Sequence, residues 1–305
     1  MNDHMLSRVA EDVYWMARYV ERAQNFARIL GIRKTQGAQM ITRERWEDFL
    51  QTFGDPHADQ MGDPSSIIRH VICDTDCPIS LCSNIKMGRD NARMARDIVS
   101  PEMWQILTRM QNTVSGKVED IDDESWEEVL SQVTMDALTF QSLLMSTILH
   151  DEAYHFMMIG TLLERALATL RLLLSYCGTL SLWDHEPLYA VNALKSVTGY
   201  GAFRRAYRKQ LQAFDVFQFL LFEPAFPRSV LNAAAHLLRE QQAVPAPADM
   251  PRQLSGRLLG QLSYDTMDLV MEESPGMYVR RLIAQFEKVH EGLTASYFQP
   301  EVQEI

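Results

Sequence analysis

Two segments far apart in the chain carry the same charged pair inside a helical run. "YWMARYVERAQNFARIL" (14–30) holds Glu21-Arg22-Ala, and "FMMIGTLLERALATLRLLL" (156–174) holds Glu164-Arg165-Ala. In each, another Arg follows the first six residues later, Arg28 and Arg171. Adjacent helical residues point about 100° apart, so neither Glu can bond its neighbouring Arg face to face. Within the first helix the available pairings are Glu21 with Arg18, and Glu21 or Asn25 with Arg28. Arg is the side chain suited to gripping a carboxylate or phosphate through two parallel N–H bonds. One reading is therefore an anion or carboxylate site. The other is a bundle whose core-flanking charges pair across helices and settle which helices meet, with desolvation offsetting the attraction.

Further residues could do chemistry. "GRDNARMARD" (88–97) adds Arg89, Asn91, Arg93 and Arg96, and Arg89, Arg93 and Arg96 share a helical face at i, i+4, i+7. Its plain alternative is a solvated face neutralised by Asp90 and Asp97. Two Glu-x-x-His pairs, Glu152/His155 and Glu287/His290, have the spacing of carboxylate-bridged di-metal bundles, with Glu21 and Glu164 as the other nominees. That motif wants its carboxylates on separate helices, and Glu164 would share one with Glu152. Cys73, Cys77 and Cys82 with His70 fit no standard zinc spacing. No phosphate loop, dinucleotide fingerprint or nucleophile elbow is present, and no residue is assigned as catalytic.

These residues need elements to position them, and the pattern is helical almost throughout. Leu6, Val9, Val13, Met16, Val20 and Ala27 form one apolar stripe, with Glu11, Arg18, Arg22 and Asn25 on the opposite side and Glu21 at the border. Phe156, Ile159, Leu163, Leu167 and Leu170 form a second stripe, in which Gly160 marks close packing or a kink. Other helices are expected near 43–53, 80–98, 100–115, 123–147, 187–197, 201–212, 227–242, 252–271 and 277–298. Ser80 is a candidate N-cap; Ser100-Pro101-Glu102 is a helix start with Pro at the first position, a style repeated at Pro227-Arg228-Ser229. Loops are expected at 54–66, 178–187 and 244–251. The fold class is all-α, a multi-helix bundle of about ten helices. The Glu-Arg segments are candidates for matching helices of two related halves.

Composition narrows the partners. With 47% hydrophobic and 23% charged residues, the 305-residue chain has ample material for a large core. A net charge of -11 argues against nucleic acid or an anionic membrane surface as partner. No apolar run reaches the roughly 18 residues a membrane helix needs. The acidic "MNDHMLSRVAED" lacks the apolar stretch of a signal peptide, and four cysteines suit a reducing, cytoplasmic setting. Residues 1–4 read as a leader or remnant before Met5, and 5–305 as a single helical domain.

The motifs together resemble the bacterial alpha-E family. "MLSRVAEDVYWMARYVERAQNFARIL" is similar to its opening, "DCPISLCSNIKMGRDNARMARDIVSPEMW" to its Asn-Pro-Ser-Ser-Ile segment and Arg-Glu-Asn-Ala-Arg run, and "DEAYHFMMIGTLLERA" to its second Glu-Arg block. "AYRKQLQAFDVFQFLLFEPAFPRSVLNAA" and "SYF" continue the likeness in the right order. The resemblance implies an all-helical domain found beside, or fused to, a circularly permuted ATP-grasp protein and often a transglutaminase-like protein. That company implies ATP-dependent amide-bond formation on a peptide or amino-acid substrate, with ATP and Mg on the partner ligase and no cofactor on this chain. The motifs carried over nominate Glu11, Arg18, Glu21, Arg22, Asn25, Arg89, Asn91, Arg93, Glu152, Glu164, Arg165 and Arg228 as substrate- or partner-binding residues. Alternatives are a stand-alone enzyme using a buried Glu as general base, and a purely structural scaffold. This chain departs from the family pattern at Cys77, where Asn is usual, at Ile79, Asp90 and His155, and at Thr161, where Arg is common.

Overall fold

The helical periodicity carries through the computed structural model, which describes residues 5–35, 43–55, 64–115, 125–178, 187–208, 211–245 and 249–298. Among these residues are fourteen α-helices and no strand. They are α1 (Ser7–Thr35), α2 (Arg43–Phe53), α3 (Pro64–Cys73), α4 (Leu81–Met94), α5 (Pro101–Ser115), α6 (Ser125–Thr147) and α7 (Glu152–Cys177). Then follow α8 (Pro187–Ser196), α9 (Tyr200–Ala206), α10 (Ala213–Phe222), α11 (Val230–Ala243), α12 (Met250–Tyr264), α13 (Met267–Glu273) and α14 (Pro275–Leu293). A π-helical turn, Thr294–Phe298, comes after α14. None of these helices is long and apolar enough to cross a membrane.

The count exceeds ten for three reasons. α3 begins inside a stretch expected to be loop, and the apolar run at 216–222 is itself helical, within α10. The single helix expected over 252–271 divides into α12 and α13, because Asp265 takes an extended conformation there. Its carboxylate accepts from Gln261 Nε2 (3.0 Å) and from the Tyr278 hydroxyl (2.8 Å), bonds that hold the break. Parts of the expected loops, together with residues 1–4 and 299–305, lie outside the described residues.

Helix starts follow the capping chemistry. Ser80 caps α4, accepting from Ser83 N at 3.0 Å, and Asp151 caps α7 through the amides of Ala153 and Tyr154. Ser229 caps α11, so Pro227 precedes the cap instead of occupying the first helical position.

The second corner repeats the first. Ser80 Oγ donates to the carbonyl of Asp74, six residues back, and accepts from the amide three ahead. Ser229 Oγ donates to the carbonyl of Glu223 (2.6 Å), also six back, and accepts from Asn232 N (3.1 Å), three ahead. The packing repeats as well. α1 lies against α4 and α6; α7 lies against α11 and α14. α4 packs on α5 and α5 on α6, as α11 packs on α12 and α12 on α14. α2 reaches across to α7, and α8 reaches across to α1. The chain thus contains two related halves, with α1 and α7 as matching central helices.

α1 and α7 run parallel. Their contacts keep a nearly constant sequence separation: Met5 with Glu152 (147), Arg18 with Glu164 (146), Arg165 with Glu21 (144) and Arg22 with Glu164 (142). Gly160 permits the close approach: a Cβ there would stand 2.4 Å from the carbonyl oxygen of Tyr14. With α4, α6 and the π-helical turn also packed on α1, both of its faces are covered. The polar side opposite the stripe is covered as well: Arg18 and Asn25 are buried, with Glu21 and Gln24 beside them, and Glu11 and Arg22 are half-buried.

Candidate functional site

The two doublets exchange partners. Arg165, on α7, reaches back to Glu21 on α1 through Nε–Oε1 (3.1 Å) and Nη2–Oε2 (3.2 Å). Arg22, on α1, reaches Glu164 on α7 through Nε–Oε1 (2.8 Å) and Nη2–Oε2 (2.9 Å). Both bonds are two-pronged guanidinium–carboxylate contacts, a geometry Lys cannot reproduce. The parallel packing of two matching helices makes the exchange reciprocal.

Each carboxylate then collects more donors. Glu164 receives Arg18 through Nε (3.0 Å) and Nη2 (2.9 Å), and Arg171 approaches to 3.7 Å. Glu21 receives Asn25 Nδ2 (3.0 Å), Gln141 Nε2 and Arg228 Nη1 (3.3 Å). Arg228 also donates to Asn25 Oδ1 (2.6 Å) and Gln24 Oε1 (3.0 Å). Arg228 comes from the corner of the second half, at the place held by Ile79 in the first.

Burial alone would raise both carboxyls. Arg165 and Arg228 override it and hold Glu21 at about 2, and Arg22 and Arg18 likewise pull Glu164 well below the usual range. A carboxylate so saturated with donors is a poor proton acceptor, which removes support from either Glu as a general base.

The cations outnumber the anions. Six guanidinium groups, of Arg18, Arg22, Arg28, Arg165, Arg171 and Arg228, surround two buried carboxylates, Glu21 and Glu164. Glu287 meets Arg171 only at 3.9 Å, from an exposed position. The surplus shows in the arginines. Burial, with Arg28 and Arg165 alongside, pushes Arg228 down to about 9 despite Glu21. Burial and Arg165 lower Arg28, and burial with Arg22 and Arg18 lowers Arg171. Because a guanidinium keeps its proton, these shifts record first the cost of burying the charge, to which the neighbouring arginines add. Two buried donors here, Arg28 Nη1 and Gln24 Nε2, lack an acceptor. A small recess of about 20 Å³ opens beside Glu164, lined by Arg22, Asn25, Phe26, Phe53, Ile79 and Arg171, among others.

A polar relay leads out of the cluster. Arg18 Nη1 donates to the Tyr14 hydroxyl (3.2 Å), which sits 2.8 Å from His290 Nδ1. The Tyr14 oxygen accepts from Arg18, and its hydroxyl can donate to His290 Nδ1 when that nitrogen is unprotonated. Burial and then Arg18 push His290 down to about 4, in keeping with a neutral ring.

Of the nominated residues, the structure brings together Arg18, Glu21, Arg22, Asn25, Glu164, Arg165 and Arg228. The within-helix pairings do not form as expected: Arg18 bonds Glu164 rather than Glu21, and Arg28 makes no hydrogen bond through Nη1. Glu11 lies ten residues before Glu21, about 15 Å along α1. Glu152 lies at the start of α7, where it accepts from Met5 N (3.1 Å). The basic residues of α4 face elsewhere: Arg89 stacks over Trp104 (4.7 Å), Arg93 is exposed beside Asp90 (4.0 Å) and Asn91 bonds its own helix at Met87 O. α4 meets the cluster instead through Asn84, whose Oδ1 lies 3.5 Å from Arg22 Nη1. Among the described residues the two Glu-x-x-His pairs are not gathered within ligand distance of one another. His155 bonds Glu240 (2.7 Å) and His290 bonds Tyr14, so the imidazoles are committed to different partners. Sequence reasoning missed Gln24, Gln141, Asn84, Tyr14 and His290 as members. The repeat Glu-Arg-Ala-x4-Arg, offset by 143 residues, was the visible signal for Arg28 and Arg171.

Residues 5–298 match the Alpha-E family model, described as a predicted alpha-helical domain with a conserved ER motif. The chain belongs to the Alpha-E family. The Glu-Arg doublets exchanged between α1 and α7 are two copies of such a motif. Similar proteins include an uncharacterized protein of Mycobacterium bovis and one of Mycobacterium tuberculosis, each 23% identical over 279 residues. The match covers 80% of this chain and 30% of each relative, so the Alpha-E chain spans under a third of their length. No solved structure matches it.

Proposed function

We propose that this chain is the helical partner of an ATP-grasp amide-bond ligase, and that its arginine-rich recess anchors the carboxylate of a peptide or amino-acid substrate. The observation that carries the reading is the surplus of buried and half-buried guanidinium groups over the two buried carboxylates, in a protein whose net charge is -11. A buried positive surplus costs free energy, and an incoming anion relieves it. Arg22 and Arg171 flank the recess with side chains 25% and 21% exposed, so they can meet a ligand from solvent. Arg171 makes two long ion pairs, at 3.7 and 3.9 Å, which leaves its donors able to take a carboxylate in a fork. A recess of about 20 Å³ admits little more than a water, so only the charged end of the substrate enters and the rest lies across the mouth. Acyl activation by ATP and Mg belongs to the ligase, in the cytoplasm, and this chain supplies position.

The test combines the purified chain with its ligase, ATP and candidate amino acids, reading ADP release and product mass. ADP and a condensed product that require the chain, and that are lost with Arg171→Gln, support the reading. Equal turnover with and without the chain overturns it.

The reciprocal pairing favours a second reading, a lock that holds the two halves in register. Melting curves at constant ionic strength separate the two. A carboxylate anchor is stabilised by glutamate or succinate relative to chloride; a lock is indifferent to them.

A further inference from the structure

Asp55, His70 and Cys77 are buried and lie close together, one ligand-capable atom of each within 4.8 Å of the other two. They stand apart from the arginine cluster and nothing above uses them. Each is placed by its own element. Gly54, with φ of +92°, ends α2 and turns the chain so that Asp55 N bonds Leu50 O (3.0 Å). His70 projects from α3, and Cys77 sits in the corner before α4. That corner is pinned by Asp76 N on Asp74 Oδ1 (2.8 Å) and by Ser80 N on Cys77 O (3.1 Å). The matching corner of the second half carries the same two bonds, Ala225 N on Glu223 Oε1 (3.2 Å) and Ser229 N on Phe226 O (2.9 Å), but puts Phe226, 4.6 Å from the Phe219 ring, where the first half has Cys77.

We infer that Asp55, His70 and Cys77 bind one divalent metal ion of the zinc class. His70 Nδ1 faces Asp74 Oδ2 at 2.9 Å while Nε2 faces Asp55 Oδ2 at 2.9 Å. A carboxylate on Nδ1 orients the imidazole and directs the Nε2 lone pair at a metal, the arrangement common around zinc-bound histidines. One sulfur, one nitrogen and one oxygen suit zinc, and a three-ligand set leaves its fourth position to water or a ligand group. Bond lengths of about 2.0–2.3 Å imply ligand separations of roughly 3.3–3.7 Å in a tetrahedron, so Asp55 and His70 part by a few tenths of an ångström on binding. The Cys77 thiol gives its proton to solvent as the sulfur–metal bond forms. The cysteine spacing hid this set: Cys73 and Cys82 lie outside it, and Asp55 arrives from the end of another helix.

The full-length chain, stripped with chelator, is titrated with Zn²⁺ and separately with Co²⁺. One ion per chain and a thiolate-to-cobalt charge-transfer band are expected. Both disappear in Cys77→Ser and in Cys77→Asn, the latter carrying the family's usual residue. A Cys73→Ser/Cys82→Ser/Cys177→Ser variant, with Cys77 the sole thiol, keeps both and decides the matter should the Cys77 variants fail to fold. No bound ion, no thiolate band, or loss of the band in the triple variant overturns the inference.

Discussion

Arg22 on α1 grips Glu164 on α7 with two parallel hydrogen bonds, 2.8 and 2.9 Å long, across the junction of the two halves. Glu164 is 1% exposed and also receives Arg18, so its negative charge is what makes three nearby guanidinium groups tolerable. Glu164→Gln should therefore destabilise the protein by about 3–5 kcal/mol, the usual cost of leaving buried charges unpaired. Arg171→Gln removes a cation from the surplus and should leave stability unchanged or raised. Urea melts of the two variants check the contrast, and equal losses would contradict it.

Gly160→Ala should cost about 1–3 kcal/mol, the range for overpacking. The added methyl meets the Tyr14 carbonyl at 2.4 Å, and backbone cannot rotate away as a side-chain tip could. Gly178→Ala is the control, since nothing lies within 4 Å of a Cβ there. A melting temperature unchanged by Gly160→Ala would mean that α1 and α7 are not so close.

Stability should fall with acid in two stages. His290, depressed to about 4 from 6.5, binds its proton more readily when unfolded, so its contribution is present above pH 6.5 and lost as pH drops toward 4. Arg18, Arg22 and Glu164 are the charges that act on it, and burial weighs most against its charged form. Glu21, depressed to about 2 from 4.5, contributes above pH 4.5 and loses that contribution as pH falls toward 2. Denaturant melts across this range should show the upper stage vanish in His290→Asn while the lower stage remains.

Ser80→Ala and Ser229→Ala should cost similar amounts, about 1–2 kcal/mol each, because each hydroxyl caps one helix and ties the same preceding carbonyl. Thermal melts that differ widely between the two would argue against the equivalence of the corners.

Much of this protein was legible in the residues. Helical spacing and caps such as Ser80 and Ser100 depend on contacts within a few residues, so α1, α4, α5 and α7 could be placed directly. The repeated Glu-Arg-Ala-x4-Arg marked both central helices, and Gly160 announced a close approach. α10 escaped because eight of its ten residues are apolar, leaving only Asp215 and Gln218 to mark a polar side.

Which charges meet was decided only by the tertiary structure. Helical periodicity says which residues share a face of one helix, not which helix lies opposite. It placed Arg18, Arg22 and Asn25 opposite an apolar stripe, with no indication of what would cover them. Packing α1 inside a shell of helices turned that same side inward, where a charge must be answered by another charge or by a hydrogen bond. The exchange of Glu21 and Glu164 between the two Arg partners depends on α1 and α7 lying parallel, a long-range choice made by all the helices around them. The meeting of Asp55 with His70 and Cys77 likewise depends on how α2, α3 and the corner before α4 converge.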